Sequence, residues 1–210
     1  MRGYYFITDH RLSRAGNVSD LEAALTAGVR TIQYRHKDGS TRELLAEARQ
    51  LRELCNGALF IVNDRVDIAL AVDADGVHLG QDDLPYFAAR RLLGREKIIG
   101  LTVHNVSQAR EAQRWGANYV GVSPVFATAT KEDAGKAAGV ELVREISQAV
   151  TIPVIAIGGI TLDNALQVIQ AGADGVCAIS AVLTAADVTA EIEKFQNLFH
   201  QHFLKPHPSA

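Results

Sequence analysis

The sequence has few of the residues that mark secreted, disulfide-stabilised or membrane-spanning proteins. It contains only two cysteines, Cys55 and Cys177, which are far apart and in no metal-binding spacing. Such low cysteine usage argues against a disulfide framework and is typical of a reducing compartment. No apolar run approaches the ~20 residues of a membrane span, and the opening MRGYYFITDH lacks the apolar stretch of a signal peptide. We therefore expect a cytoplasmic protein without membrane association.

The sequence also lacks a strong charge of either sign. Its 21 Lys and Arg residues and 24 Asp and Glu residues give a net charge of −3. This balance gives no electrostatic support for binding nucleic acid or an acidic membrane surface. The partners that remain are small-molecule substrates. The oligomeric state is left open, and a homo-oligomer is among the states that the sequence allows.

No linker or shift in composition divides the 210 residues. Apolar residues make up 48% of the chain and charged residues 21%, which is ordinary for a globular protein with a substantial core. We expect one catalytic domain over residues 1–204 and a disordered tail over residues 205–210.

Hydrophobic periodicity predicts an alternation of strands and helices. The predicted strands are 4–8, 31–35, 59–62, 76–79, 98–103, 119–122, 153–156 and 175–179. The predicted helices are 19–27, opened by a capping box from Ser19 to Glu22, and 41–54, 66–72, 85–93, 106–115, 140–149, 162–171 and 185–199. Eight strand–helix units favour an α/β fold, a single-domain (β/α)₈ TIM barrel. An open doubly wound sheet would need a glycine-rich turn after its first strand, and Thr8-Asp9-His10 is not one.

Acidic residues follow two neighbouring predicted strands. Asn63 and Asp64 come directly after strand 59–62, and Asp82 and Asp83 follow strand 76–79. In a barrel the carboxyl ends of the strands surround the active site. Two carboxylates that face one cleft repel each other unless a cation lies between them, and hard cations such as Mg²⁺ prefer oxygen ligands. The sequence therefore predicts a metal site here, although spacing alone does not separate Asp82 from Asp83.

Three other groups point to phosphate. Gly158-Gly159 and Ile179-Ser180 lie where barrels commonly bind phosphate, although a tight turn would also explain the glycines. The run TATK places Thr128, Thr130 and Lys131 on a loop that could clamp an anion and close over the site, or could be solvated.

The run QYRHK places Gln33, Arg35 and Lys37 on one face of an extended segment. Two basic groups beside a metal favour a diphosphate over a monophosphate, whereas an ordinary solvated strand end is the alternative. We expect His78 to be a structural residue. No Ser-His-Asp or Cys-His nucleophile pair is evident, and His104 has no obvious partner for proton transfer.

At these residues the chain resembles the thiamine-phosphate synthases, within the superfamily that they share with the thiazole tautomerases. The resemblance runs from YYFITD to VCAISAV and includes QYRHK, VNDRVDIAL, ADGVHLGQDD, GLTVH, SPVFATATK and IPVIAIGGI. Each motif is weak alone, but their joint order and spacing are specific. Two departures are Thr102, where the family commonly has serine, and Ser123-Pro124, where it usually has glycine-proline.

The resemblance implies a Mg²⁺-dependent transferase of thiamine biosynthesis. Such enzymes join 4-amino-2-methyl-5-hydroxymethylpyrimidine diphosphate to 4-methyl-5-(2-phosphoethyl)thiazole, or its carboxylated form, through a pyrimidine cation, and they release pyrophosphate. Carried over, Asp64 and Asp83 would bind Mg²⁺, with Arg35, Lys37 and Lys131 in catalytic roles. Pyrimidine diphosphate would contact Gln33, Arg35, Lys37, Asn63, Thr102 and Lys131. Thiazole phosphate would contact Thr128, Thr130, Gly159, Ile179 and Ser180.

Two alternatives remain at this point. A thiazole tautomerase would share the fold and would not need the aspartates that match Asp64 and Asp83. A non-catalytic barrel that binds a phosphorylated ligand would leave a charged cleft unused, and burying uncompensated acids costs stability.

Overall fold

The computed structural model of the chain describes residues 1–128, 130 and 137–204. Within these residues, strands and helices alternate as the sequence predicts. The strands are β1 (Gly3–Tyr4), β2 (Phe6–Ile7), β3 (Thr31–Tyr34), β4 (Leu59–Asn63), β5 (Gly76–Leu79), β6 (Ile98–Val103), β7 (Tyr119–Val122), β8 (Val154–Ile157) and β9 (Gly175–Cys177). The helices are α1 (Asn17–Thr26), α2 (Thr41–Leu54), α3 (Val66–Ala71), α4 (Tyr86–Leu93), α5 (Val106–Trp115), α6 (Gly139–Ala149), α7 (Leu162–Gln170), α8 (Ile179–Leu183) and α9 (Val188–Leu204).

The strands form a closed barrel, which confirms the predicted (β/α)₈ fold. All neighbouring strands are parallel, in the order β1-β9-β8-β7-β6-β5-β4-β3-β2. Only Tyr5 separates β1 from β2, so the two ends of this sheet meet within one segment of chain. In a closed sheet of parallel strands, the carboxyl ends of β2 to β9 all lie at the same end of the barrel.

The first predicted strand is split in the structure. Residues 4–8 were expected to form one strand, whereas β1 pairs with β9 and β2 pairs with β3. The chain changes partners at Tyr5, whose amide donates to the carbonyl of Val176 (2.9 Å). The sheet closes through this segment, because its first residues pair with β9 on one side and its later residues pair with β3 on the other.

The core has two layers that follow the alternation of side chains along the strands. Tyr4 and Phe6 point outward into the large core between the barrel and its helices. Tyr5 and Ile7 point inward and join Tyr119, with Ile155 and Cys177, in a small cluster inside the barrel. Residues 4–8 thus contribute side chains to both layers, because successive side chains of a strand point to opposite faces.

Two sequence predictions at element ends were wrong. The helix expected to open with a capping box at Ser19 begins at Asn17, after Gly16. The capping box opens α2 instead, where the Glu43 amide donates to Ser40 Oγ (3.3 Å) and the Ser40 amide donates to Glu43 Oε2 (2.7 Å). Both sites carry the pattern S-x-x-E, but at the first site Ser19 lies inside α1, whose residue Asn17 donates from Nδ2 to Glu47 Oε1 on α2 (2.9 Å).

The end of the last strand also differs from the prediction. The strand expected over residues 175–179 stops at Cys177, and Ile179 begins the short helix α8. Across the described part of the chain, none of the helices combines the length and the apolar character needed to cross a bilayer. The predicted tail over residues 205–210 lies outside the described residues.

Candidate active site

The predicted site residues lie together in one cleft at the carboxyl ends of the strands. Twelve of the thirteen line it: Gln33, Arg35, Lys37, Asn63, Asp64, Asp83, Thr102, Thr128, Thr130, Gly159, Ile179 and Ser180. The thirteenth, Lys131, lies outside the described residues. The individual roles of these residues stay predictions.

Asp64 and Asp83 face each other across the cleft. The backbone amide of Asp64 donates to the carbonyl of His78 (2.9 Å), which continues the pairing of β4 with β5. Asp83 Oδ2 accepts from the amide of Gly80 (2.6 Å), which holds this carboxylate over the end of β5. The intervening helix α3 and strand β5 therefore set the separation of the two acids.

The two carboxyl groups interact directly. Partial burial raises the pKa of Asp83, and the hydrogen bond to Asp64 and the negative charge of Asp64 raise it further. The positive charge of Lys37 acts in the opposite direction, since its Nζ lies 2.6 Å from Asp64 Oδ2. Two interacting carboxyl groups are favourable only when they share a proton or have a cation beside them.

The donor set fits a cation that is incompletely held by protein. Among the described residues, no group of three or more His, Cys, Asp or Glu side chains is placed to hold a metal ion. Mg²⁺ typically binds one or two carboxylates and completes its octahedron with water and substrate phosphate. Asp64 and Asp83 match that requirement, whereas Asp82 is exposed at the rim of the cleft.

Both basic side chains of the QYRHK segment are paired with acids. Lys37 pairs with Asp64 as described, and Arg35 Nη1 forms an ion pair with Asp9 Oδ2 behind the wall of the cleft. The Arg35 and Asp9 side chains are only 14% and 4% exposed, so this pair is largely withdrawn from water. Neither pairing was predicted, because the sequence does not give the distance between separate strand ends.

A continuous polar chain forms the floor of the cleft. Gln33 Nε2 donates to the Tyr5 hydroxyl (2.9 Å), which lies 2.8 Å from the Tyr119 hydroxyl. His78 Nδ1 lies 2.9 Å from that Tyr119 hydroxyl, and His78 Nε2 lies 2.9 Å from Thr102 Oγ1. Burial raises the pKa of both tyrosines, so both phenols keep their protons. Donation in one direction, from Gln33 through to Thr102, gives each group in the chain a partner.

Tyr5 and Tyr119 were not predicted as residues of the cleft, and His78 was predicted to be a structural residue. His78 is hydrogen-bonded through both ring nitrogens and also lines the cleft. The Tyr119 ring fits only because residue 100 is a glycine. A Cβ at Gly100 would lie 2.1 Å from Tyr119 Cζ. The alternation in YYFIT was the available signal, since it sends Tyr5 toward the barrel interior.

The glycine pair after β8 has a packing reason. Gly158 and Gly159 have φ values of 102° and 61°. A Cβ on Gly158 would lie 2.7 Å from Pro124 Cβ, and one on Gly159 would lie 2.5 Å from the carbonyl oxygen of Ala127. The pair therefore lets the segment after β7 approach closely, and this packing does not test the predicted contact with phosphate.

The predicted phosphate-binding side chains line the same cleft as this glycine pair. Thr128 Oγ1 accepts from the Thr130 amide (3.2 Å), which shapes the described part of the loop. Ser180 is exposed in the first turn of α8. His104 lines the cleft, and its Nδ1 donates to the carbonyl of Ser123 (2.7 Å).

Comparison with known proteins identifies the family. A family model described as thiamine monophosphate synthase matches residues 4–182. The thiamine-phosphate synthase of Methanosarcina barkeri is 50% identical over 199 residues, which cover 94% of this chain and 90% of the relative. This chain belongs to the thiamine-phosphate synthase family. The thiamine-phosphate synthase of Chloroflexus aurantiacus is 51% identical over 197 residues, which cover 92% of this chain and 91% of that protein.

A solved structure from the thiamine-phosphate synthase family extends the match to three dimensions. The thiamine phosphate pyrophosphorylase of Pyrococcus furiosus is similar with a TM-score of 0.88 at 42% identity, over 97% of both chains. The resemblance inferred from the motifs is thereby confirmed, as are the barrel fold and the assignment to a transferase family.

Proposed function

We propose that this chain is a Mg²⁺-dependent thiamine-phosphate synthase. It would join 4-amino-2-methyl-5-hydroxymethylpyrimidine diphosphate to 4-methyl-5-(2-phosphoethyl)thiazole, or its carboxylated form, and release pyrophosphate. The observation that carries the proposal is the contact of Asp64 with Asp83 beside Lys37, in a chain that is 50% identical to a thiamine-phosphate synthase.

Asp64 and Asp83 would hold the metal. The cation would supply charge stabilisation to a leaving diphosphate, which is the usual role of Mg²⁺ in such displacements. Neutralising the two acids also removes their mutual repulsion, so the ligand-free arrangement supports this role.

Arg35, Lys37 and the amide group of Asn63 would bind the diphosphate. Negative charge grows on the leaving group as the carbon–oxygen bond breaks, and fixed cations nearby stabilise that charge. The electron pair of this bond leaves with pyrophosphate, and the pyrimidine methylene becomes a cation. Lys131 would add a further positive charge, a role that lies outside the described residues.

The floor of the cleft would hold the pyrimidine. Thr102 and Gln33 offer polar contacts at its two ends, and Tyr5, Tyr119 and His78 provide ring surfaces between them. Thr102 replaces the usual serine, and its hydroxyl is engaged by His78, so the added methyl group leaves the hydrogen-bond pattern intact.

Thr128, Thr130, Gly159, Ile179 and Ser180 would bind the thiazole phosphate across the cleft. The lone pair of the thiazole nitrogen then forms the new carbon–nitrogen bond, and no proton is removed in this step. This chemistry requires orientation of two substrates and exclusion of water rather than a catalytic base. This requirement agrees with the sequence, where no Ser-His-Asp or Cys-His nucleophile pair was recognised.

The two acids also separate this function from a thiazole tautomerase. A tautomerase would use proton transfer and would have no need for two carboxylates in direct contact. The named relatives are synthases, which favours the same choice.

The test is to incubate the purified protein with both substrates and to measure thiamine phosphate with and without MgCl₂. We expect product only with the cation. Asp64→Asn and Asp83→Asn should each lower kcat/KM by at least about 100-fold, because each removes a ligand of the cation that would stabilise the leaving diphosphate.

Asp82→Asn is the matched control, since it changes the neighbouring exposed acid. It should stay within about threefold of the wild type. Full activity in either the Asp64 or the Asp83 variant would refute the metal site. Isomerisation of a thiazole phosphate without any coupling would refute the synthase assignment.

A further inference from the structure

The two residues that follow β2 hold Arg35 at both its backbone and its side chain. Thr8 Oγ1 accepts from the Arg35 amide (2.9 Å) and donates to the Arg35 carbonyl (3.2 Å). The Arg35 guanidinium donates from Nη1 to Asp9 Oδ2. Three bonds from adjacent residues thus fix one arginine just beyond the end of β3.

Asp9 is itself rigidly held. Its Oδ1 accepts from the amide of Arg11 (3.1 Å), and its carbonyl accepts from the amides of Leu12 (3.1 Å) and Ser13 (2.9 Å). Both carboxylate oxygens are therefore engaged, and the side chain is 4% exposed. Asp9 does not line the cleft, so it is placed to act on Arg35 rather than on a ligand.

The arrangement leaves Arg35 able to serve the cleft that it lines. A guanidinium has five N–H donors in a rigid plane. When Asp9 fixes the Nη1 corner, the direction of the remaining donors is fixed as well. A planar donor set that is oriented in advance binds phosphate oxygens with less loss of side-chain entropy.

We propose that Thr8 and Asp9 are positioning residues that aim Arg35 at the diphosphate of the pyrimidine substrate. The proposal rests on the proposed function. A buried ion pair is not by itself a strong source of stability, because desolvation offsets much of the Coulomb attraction. A role in orienting Arg35 would explain why the ion pair of Arg35 with Asp9 lies beside the cleft.

A purely structural bridge is the competing explanation, and it makes different predictions. It would lower the melting temperature and change the kinetics of both substrates alike. Positioning of Arg35 would act selectively on the substrate that carries the diphosphate.

The experiment compares Asp9→Asn, Thr8→Val and the conservative Thr8→Ser. For each we would measure KM for both substrates, the Kd of inorganic pyrophosphate with MgCl₂ by calorimetry, and the melting temperature. Asp9→Asn should weaken pyrophosphate binding about tenfold and raise KM for the pyrimidine diphosphate by a similar factor, since small misplacements of a charged contact are costly. KM for the thiazole phosphate should stay within about twofold, and Thr8→Ser should resemble the wild type.

A double-mutant cycle with Arg35→Gln adds a second readout. Once Arg35 is absent, Asp9→Asn should have no further effect on pyrophosphate binding, because the two residues act through one contact. Independent losses in the double variant, equal changes in both KM values, or unchanged pyrophosphate binding in a folded Asp9→Asn protein would overturn the proposal.

The calorimetric arm separates this proposal from the proposed function. Pyrophosphate binding is measurable whether or not thiamine phosphate is formed. Absence of coupling in the wild type would defeat the synthase assignment, whereas wild-type coupling with unaffected Asp9→Asn and Thr8→Val variants would defeat the positioning role alone.

Discussion

At the scale of single residues, Asp64 combines an unusual backbone with an unusual neighbour. Its φ of 61° lies in the left-handed region, which aspartate tolerates better than most residues other than glycine. The turn brings its carboxylate against Asp83 and Lys37 instead of continuing along β4. Backbone strain of this kind is concentrated at functional sites, where surrounding structure holds it in place.

Asp83→Asn is expected to stabilise the ligand-free protein at neutral pH while it removes activity. Because the pKa of Asp83 is raised in the fold, the stability present below the ordinary carboxyl pKa of about 4 is lost as pH rises through the raised value. Asparagine removes that loss and keeps an oxygen for the Gly80 amide. Melting temperatures in EDTA should show a gain of about 2 °C or more at pH 7.5 that shrinks toward pH 5.

Asp82→Asn provides the control for this titration, since Asp82 is exposed and should give the wild-type melting temperature at each pH. A gain for Asp83→Asn that does not change with pH would contradict the electrostatic explanation and would point to a packing effect.

The chemical types of the site residues could be predicted from the sequence, but their pairings could not. Acids after two neighbouring strands and bases after a third follow from the rule that barrel strand ends converge. The contacts of Arg35 with Asp9 and of Lys37 with Asp64 join positions 26 and 27 residues apart. Such distances depend on the tilt and register of the strands, which local patterns do not encode.

At the scale of elements, the segment after β7 is shaped by the glycines after β8. The amide of Phe126 donates to the carbonyl of Gly158 (3.0 Å), and the side chain of Pro124 lies where a Cβ on Gly158 would be. The side of the cleft that carries Thr128 is therefore positioned by close backbone contact.

Gly158→Ala should destabilise the protein by about 2–4 kcal/mol, because the new Cβ adds a steric clash to the cost of a left-handed conformation. Gly57→Ala is the matched control, because Gly57 also has a positive φ of 86° but a Cβ added there would have no atom within 4 Å. Urea denaturation should give a smaller loss for Gly57→Ala, of about 1 kcal/mol. Equal losses would show that backbone strain alone accounts for both.

Elements with strong periodicity were predicted closely, and elements shaped by closure were not. Helices α2 and α5 and strands β5, β6 and β7 have the predicted bounds. The split between β1 and β2 and the short helix α8 were missed, since both lie where the last strand meets the first. Local hydrophobic pattern carries no information about that meeting.

At the scale of the whole molecule, closure of the barrel makes its parts depend on one another. Each of β3 to β9 pairs with a strand on both sides within the described sheet, and β1 and β2, which are joined through Tyr5, pair with β9 and β3. Removing one strand would therefore expose two rows of backbone hydrogen-bonding groups, which is costly.

This closure predicts a single unfolding transition. Trp115 is the one tryptophan of the sequence and packs with Tyr86 and Phe87 on α4, so its fluorescence reports on one side of the barrel. Its urea midpoint should agree within about 0.3 M with the midpoint from far-ultraviolet circular dichroism. Phe195→Ala, which removes a ring packed on Tyr4 elsewhere in the barrel, should lower both midpoints together. An earlier fluorescence transition would identify α4 and α5 as a separate unit.

The ion pair of Lys37 with Asp64 makes the uptake of a cation an exchange reaction under the proposed function. An ammonium group already neutralises Asp64, so an arriving metal ion must displace it. The displaced ammonium gains a new partner only when a diphosphate is present. Cation and diphosphate then raise each other's affinity by the same factor, as linkage requires. The protein would accordingly discriminate against free divalent ions and select the cation that arrives as a complex with its substrate.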